Sequence, residues 1–136
     1  MSMTDIPLFG LLRERMSWLN ARQDVLSQNV ANADSPGYAA RDLKPMDFDE
    51  MVKRANGDTS STAMMTTDPR HIALTQAQTS NYAGADTPDT EASPDGNTVS
   101  LEEEMIKVSD TQAQYQAATN LYSKALSMMR TAIGQP

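Results

Sequence analysis

The sequence predicts an all-α fold: an antiparallel, coiled-coil-like pair of long N- and C-terminal helices separated by a long, mostly irregular middle segment. Three observations predict it. Apolar residues recur in alternating steps of three and four along both terminal segments. Turn formers end both segments sharply. The residues between them hold neither a helical nor a strand period. At 136 residues, the whole chain 1–136 fits a single domain.

The N-terminal helix is expected over residues 5–33. Phe9, Leu12, Met16, Leu19, Gln23, Leu26, Val30 and Ala33 fall on one face. Asp5 can cap the start, and Pro7 fits a first turn, where a missing N–H is harmless. The stop is Asn32-Ala33-Asp34-Ser35-Pro36-Gly37, in which Pro36 drives Ser35 out of the α region.

The middle segment, 34–98, is expected to be irregular, with a short helix available over 47–54. Residues 57–98 are rich in Thr, Ser, Asp, Ala, Pro and Gly, a composition that cannot bury enough apolar surface to order itself. Contact with neighbours is expected to order it.

The C-terminal helix is expected over 99–134. Leu101, Met105, Val108, Gln112, Tyr115, Thr119, Tyr122, Leu126, Met129 and Ile133 alternate by four and three. Ser100 and Glu103 have capping-box spacing. Glu102 to Glu104 suit the positive end of the helix dipole, and Lys124 and Arg130 the negative end. Gly134 suits the stop.

A second stripe, Ala118, Leu121, Ala125, Met128 and Ala132, runs beside the first. One partner helix covers only a narrow seam, so the wider face calls for a second partner, either within the chain or, as is expected here, from a neighbouring copy. The candidate assembly residues are therefore Leu12, Met16, Leu19, Leu26, Val30, Met105, Val108, Tyr115, Leu121, Tyr122, Ala125, Leu126, Met128 and Met129. With the helix ends aligned, Gln23 falls opposite Gln112 and Met16 opposite Thr119. Two facing amides would satisfy each other and fix the register; the alternative is that each Gln lies at the rim of the seam and is hydrated.

Composition removes several function classes. The net charge is −7, and residues 57–98 hold one basic against six acidic side chains. An acidic chain without a basic patch lacks the footprint of a nucleic-acid or anionic-membrane binder. There is no cysteine for a disulfide or thiolate site. No run reaches the roughly 20 apolar residues of a membrane span. Arg13, Glu14 and Arg15 interrupt the one stretch that could serve as a signal-peptide core. His71 is the single histidine, with no second His to share a metal, and the six glycines form no phosphate loop. No catalytic, metal or cofactor constellation emerges, so an enzyme is not expected.

Leu26 to Asp42, LSQNVANADSPGYAARD, resembles the signature of the flagellar rod, hook and hook-associated family. In that family an Asn-rich helix end runs into a Thr/Ser-Pro-Gly-Tyr turn, matched here by Asn29, Asn32, Ser35, Pro36, Gly37 and Tyr38. Ser35 stands where Thr is commoner. TDPRHI (67–72) and the stretch from Ser93 to Ile133 resemble the smallest proximal-rod subunits of the flagellar basal-body rod family. Larger members carry inserted β domains for which this chain has no room.

The resemblance implies a structural protein that polymerises through its terminal helices into the proximal rod, which transmits motor torque across the periplasm. It implies export through the flagellar type III apparatus without a cleaved signal peptide. The implied partners are other copies of the chain, other proximal-rod subunits, the basal-body protein joining rod to membrane ring, and the export gate. The rival is a small secreted helical-hairpin binding module of the Trp-x-Gly type. That type puts Trp and Gly in the interhelical turn, whereas Trp18 lies mid-helix and is followed by Leu19.

Overall fold

A computed structural model describes residues 7–47 and 82–134. The elements are α1 (Pro7–Ala31), β1 (Arg41–Leu43), β2 (Gly84–Asp86) and α2 (Leu101–Ala132). Pro7 opens α1, as its fixed φ and missing N–H allow. The expected cap Asp5, the TDPRHI stretch and all of the suggested 47–54 helix except Asp47 lie outside the described residues.

The two helices run antiparallel. Near one end the Phe9 ring meets Tyr122 edge-to-face at 5.2 Å. Near the other, the Asn29 amide meets the Glu104 carboxylate at 3.0 Å. On α1, Phe9, Leu12, Leu19 and Leu26 are buried, as their spacing predicts. After Leu26 the inward position is Asn29, and Val30 is 39% exposed. A straight helix turns 3.6 residues per turn, so a strict 3.5-residue stripe drifts off the seam within a few turns.

On α2 the seam is rotated from the expected one. Glu104, Thr111, Ala118 and Ala125, seven residues apart, are buried, while Val108, Tyr122 and Met129 are half-buried. Met105 is 66% exposed, and Gln112 and Thr119 are also exposed. The physical reason is size and polarity. Small Thr111, Ala118 and Ala125 make room for the large side chains of α1, and Glu104 is drawn inward by Asn29 and Lys107. Ala118 and Ala125, assigned by the sequence to a contact with another copy, therefore belong to the intramolecular seam.

The middle segment is not wholly irregular, and the fold is not purely α. β1 and β2 form a two-stranded antiparallel ribbon with Arg41 opposite Asp86, Asp42 opposite Ala85 and Leu43 opposite Gly84. The strands are three residues each, and Gly-Ala-Asp has poor β propensity, so no alternation was available to announce them. The ribbon brings Leu43 against Trp18 and Leu19, with Val25, Met46 and Tyr82 at the edge of this small core. Trp18 Nε1–H donates to the Lys44 carbonyl at 3.1 Å. The Arg15 and Arg22 guanidiniums lie 4.9 and 5.6 Å from the Trp18 ring centre. Arg22 also forks onto both Asp42 carboxylate oxygens, at 2.9 and 2.7 Å, which ties α1 to β1.

The expected capping box does not form. Ser100 is the N-cap of α2, but its side chain makes no capping bond. The Ser100 N–H donates to Asp89 Oδ2 at 2.8 Å, and Glu103 accepts instead from the Thr90 N–H at 3.3 Å. Asp89, carried on the segment before the helix, takes the role that Glu103 was expected to fill.

The amide pair is not made either. Gln23 and Gln112 do line one half-open groove of about 480 Å³ between the helices, together with Asn20, Tyr115 and Gln116. Met16 and Thr119 touch as the register requires, with sulfur and hydroxyl 3.8 Å apart. Yet Gln23 Oε1 is buried and accepts no hydrogen bond. Gln23→Leu is therefore expected to stabilise the fold by about 1 kcal/mol, since it removes an unmatched acceptor and adds apolar volume at the seam. Thermal unfolding followed by circular dichroism tests the sign; a lower melting temperature would show that the amide is solvated through the groove.

Candidate assembly site

The turn after α1 is built around Asn29. Its Nδ2 donates to the Arg41 carbonyl at 2.6 Å and to Glu104 Oε2 at 3.0 Å. Its Oδ1 accepts from the Tyr38 hydroxyl at 3.2 Å and the Arg41 N–H at 3.1 Å. A fully buried amide with all four of these bonds made is fixed in one orientation. The chain after the helix is thereby folded back over the helix end that it has just left.

A second buried amide, Asn97, closes the same turn from the other half of the chain. Its Nδ2 donates to the carbonyls of Asn32 and Ser35 at 2.9 and 2.7 Å, and its Oδ1 accepts from the Val99 N–H at 2.8 Å. The Gly37 N–H donates to the Asp95 carbonyl at 3.1 Å, and Thr98 N–H to the Tyr38 carbonyl at 3.0 Å. Asn32 and Ser35 bond locally, through Asn32 Nδ2 to the Gln28 carbonyl and Ser35 Oγ to Asn32 Oδ1. The signature turn thus holds residues 93–100 in place at the start of α2.

The electrostatic centre lies beneath it. Lys107 Nζ donates to Glu104 Oε1 at 2.8 Å and to Asp89 Oδ1 at 2.5 Å. Burial lowers the Lys107 pKa, but the bonds to Asp89 and Glu104 outweigh it and hold the group above its ordinary value. Both carboxylates are buried, so a single ammonium compensates two charges that water barely reaches.

Gly37 has φ +70°, the left-handed conformation expected of a turn that follows Pro36. A Cβ added there meets nothing within 4 Å, so a substitution is strained only through the backbone. Gly37→Val is expected to destabilise by about 1–3 kcal/mol, and Gly37→Ala by most of that amount. Chemical denaturation of both variants tests this. A cost confined to Val would place the problem in side-chain crowding.

The candidate assembly residues divide into two groups. Leu12, Leu19, Leu26 and Ala125 are buried in the intramolecular seam or core, and Met16, Val108, Tyr122, Leu126 and Met129 are half-buried. Val30, Met105, Tyr115, Leu121 and Met128 are exposed, with Leu121 and Met128 at 50% and 58%. Val30 leaves the seam by the drift of the α1 stripe, and Met105 by the rotation of α2, both described above. Sequence reasoning missed Glu104, Lys107, Asp89 and Asn97. The three-residue spacing of Glu104 and Lys107 was a usable signal for an ion pair, but nothing local marked Asp89 or Asn97.

The profile of the flagella basal body rod protein family matches residues 12–38, which span all but the first turn or so of α1 and the whole signature turn. The chain is 33% identical over 131 residues to the flagellar basal body rod protein FlgB of Agrobacterium fabrum, covering 94% of this chain and 93% of that protein. It is 34% identical over 122 residues to FlgB of Escherichia coli, covering 86% of each. It is 35% identical over 126 residues to FlgB of Proteus mirabilis, covering 89% and 90%.

Proposed function

The chain belongs to the flagellar basal body rod protein family and is a structural component of the rod, not an enzyme, and from that premise we propose that its terminal helices polymerise it into the proximal rod, where it transmits motor torque. The observation that carries this reading is an apolar surface left over after α1 and α2 have packed together. Leu121 and Met128 lie exposed on α2 while the seam beside them is already filled. Large side chains held in water on a rigid helix favour burial against another subunit.

The α1–α2 pair acts in this reading as a coiled-coil-like strut, and the signature turn with its amide and ion-pair latch sets the angle at which the chain leaves it. Other proximal-rod subunits, the basal-body protein joining rod to membrane ring, and the export gate are the proposed neighbours. Export occurs without a cleaved signal peptide, and the assembled site is the periplasmic rod. No helix among the described residues is long and apolar enough to cross a membrane.

Leu121→Glu and Met128→Glu are each expected to abolish incorporation into the rod, and with it motility, while secretion of the chain continues. A carboxylate would be buried at a subunit contact without a partner. Motility plates and immunoblots of isolated basal bodies read the outcome. Normal motility in both variants would overturn the assignment of this face.

A further inference from the structure

We infer that the outward face of α2 is a heterologous contact between successive copies of this chain, in which the N-terminal half of one α2 packs on the C-terminal half of the next and Asp110 pairs with Lys124. This rests on the rod reading above. Ile106, Asp110, Ala113, Ala117, Leu121, Lys124 and Met128 fall within about 80° of arc on a helix of 3.6 residues per turn. All seven are exposed, Ile106 at 69%. The seam residues lie on another side of the helix, so the face is free while α1 stays packed.

Scattered exposed apolar residues are ordinary, but spacing and charge set these apart. Ile106 and Ala113 are seven residues apart, as are Leu121 and Met128. Two parallel α2 helices offset by 15 residues, about 22 Å at 1.5 Å per residue, bring Ile106 level with Leu121 and Ala113 level with Met128. Asp110 then lies beside Lys124 of the next copy. One Asp110 oxygen accepts from Gln114, and among the described residues the other accepts no bond, so it can take a donor. Ala113 and Ala117 give the close approach that packed helices need.

The two halves of α2 also differ in sign. The first carries Glu102, Glu103, Glu104 and Asp110, with Lys107 committed to Glu104 and Asp89. The second carries Lys124 and Arg130 and no acid. Contact between like halves is repulsive, and contact between unlike halves is attractive. A heterologous contact leaves one half of the face open on each terminal copy, and the axial offset of about 22 Å between successive copies keeps it from closing into a ring, as a rod requires.

The chain has no cysteine, so engineered pairs report geometry cleanly. Full-length chain carrying Ile106→Cys and Leu121→Cys is expressed in place of the parent, and isolated basal bodies are oxidised. A ladder of disulfide-linked multimers is expected, absent with either cysteine alone. Asp110→Lys is expected to reduce the ladder about tenfold, and adding Lys124→Asp to restore it. A single dimer band from Ala117→Cys would instead reveal an antiparallel pair closed about that residue, and would overturn the proposal. Basal bodies that contain the chain but give no ladder would overturn it as well while leaving the rod reading intact. Basal bodies that lack even the parent chain would overturn the rod reading and this contact together.

Discussion

Lys107→Met is expected to lower the unfolding free energy by about 3–5 kcal/mol, the range found when one member of a buried ion pair is removed. Met keeps the length of the aliphatic stem, so the loss comes from charge rather than volume. Glu104 and Asp89 stay buried with no cation bonded to either among the described residues, since each turns an oxygen toward the same ammonium. Their remaining partners, the Asn29 amide and the Ser100 N–H, are neutral donors. A solvated surface lysine would cost at most about 1 kcal/mol to remove. Chemical denaturation separates the two cases, and a loss below that figure would show that the cluster is wet. Glu104→Gln in the Lys107→Met background is expected to recover part of the loss, because a neutral amide still accepts from Asn29 without demanding a counter-charge. With the Lys107 pKa raised above its ordinary 10.5, its contribution is complete at neutral and acid pH. It fades only as the pH climbs through the raised value, so alkaline titration should weaken the parent protein and leave Lys107→Met comparatively unaffected.

The sequence announced the helices and the signature turn because those depend on local chemistry. Alternating apolar steps, Pro7 and Gly134 placed α1 and α2 to within a residue or two. Pro36 and Gly37 marked a turn whose left-handed glycine the structure contains. What it could not announce depends on contacts between residues far apart in the chain. The β1–β2 ribbon joins short segments separated by some forty residues, one of them Gly-Ala-Asp. Apolar character alone points to the wrong face of α2. Glu104 and Thr111 occupy the seam instead, the first held by Asn29 and Lys107, the second by a hydroxyl bond to the Lys107 carbonyl at 2.7 Å. A buried carboxylate is favourable only when its partners are present, and Asp89 and Asn97 arrive from a polar segment whose composition alone suggested disorder.

Deletion of residues 101–133 is expected to remove the helical signal of α1 as well as that of α2. α1 is 25 residues long, a length at which an isolated helix is marginal in water. Its order depends on burying Phe9, Leu12, Leu19 and Leu26, each contributing on the order of 1.5–3 kcal/mol on transfer from water. Without α2, Phe9 loses Tyr122, Asn29 loses Glu104, and Arg15 loses the Gln114 side-chain Oε1 that it donates to at 2.6 Å. The opposing consideration is the Trp18–Leu43 core, which involves no α2 residue and is reinforced by the Arg22–Asp42 fork. Two three-residue strands and one tryptophan form too small a unit to order 25 helical residues, since isolated ribbons are themselves marginal. Trp18, the chain's one tryptophan, distinguishes the alternatives. Far-ultraviolet circular dichroism near that of a coil, with Trp18 fluorescence shifted to that of a solvated indole, is the expected result. Helicity persisting at the level of a full α1 would mean that the ribbon, and not the partner helix, is what folds the N-terminal half.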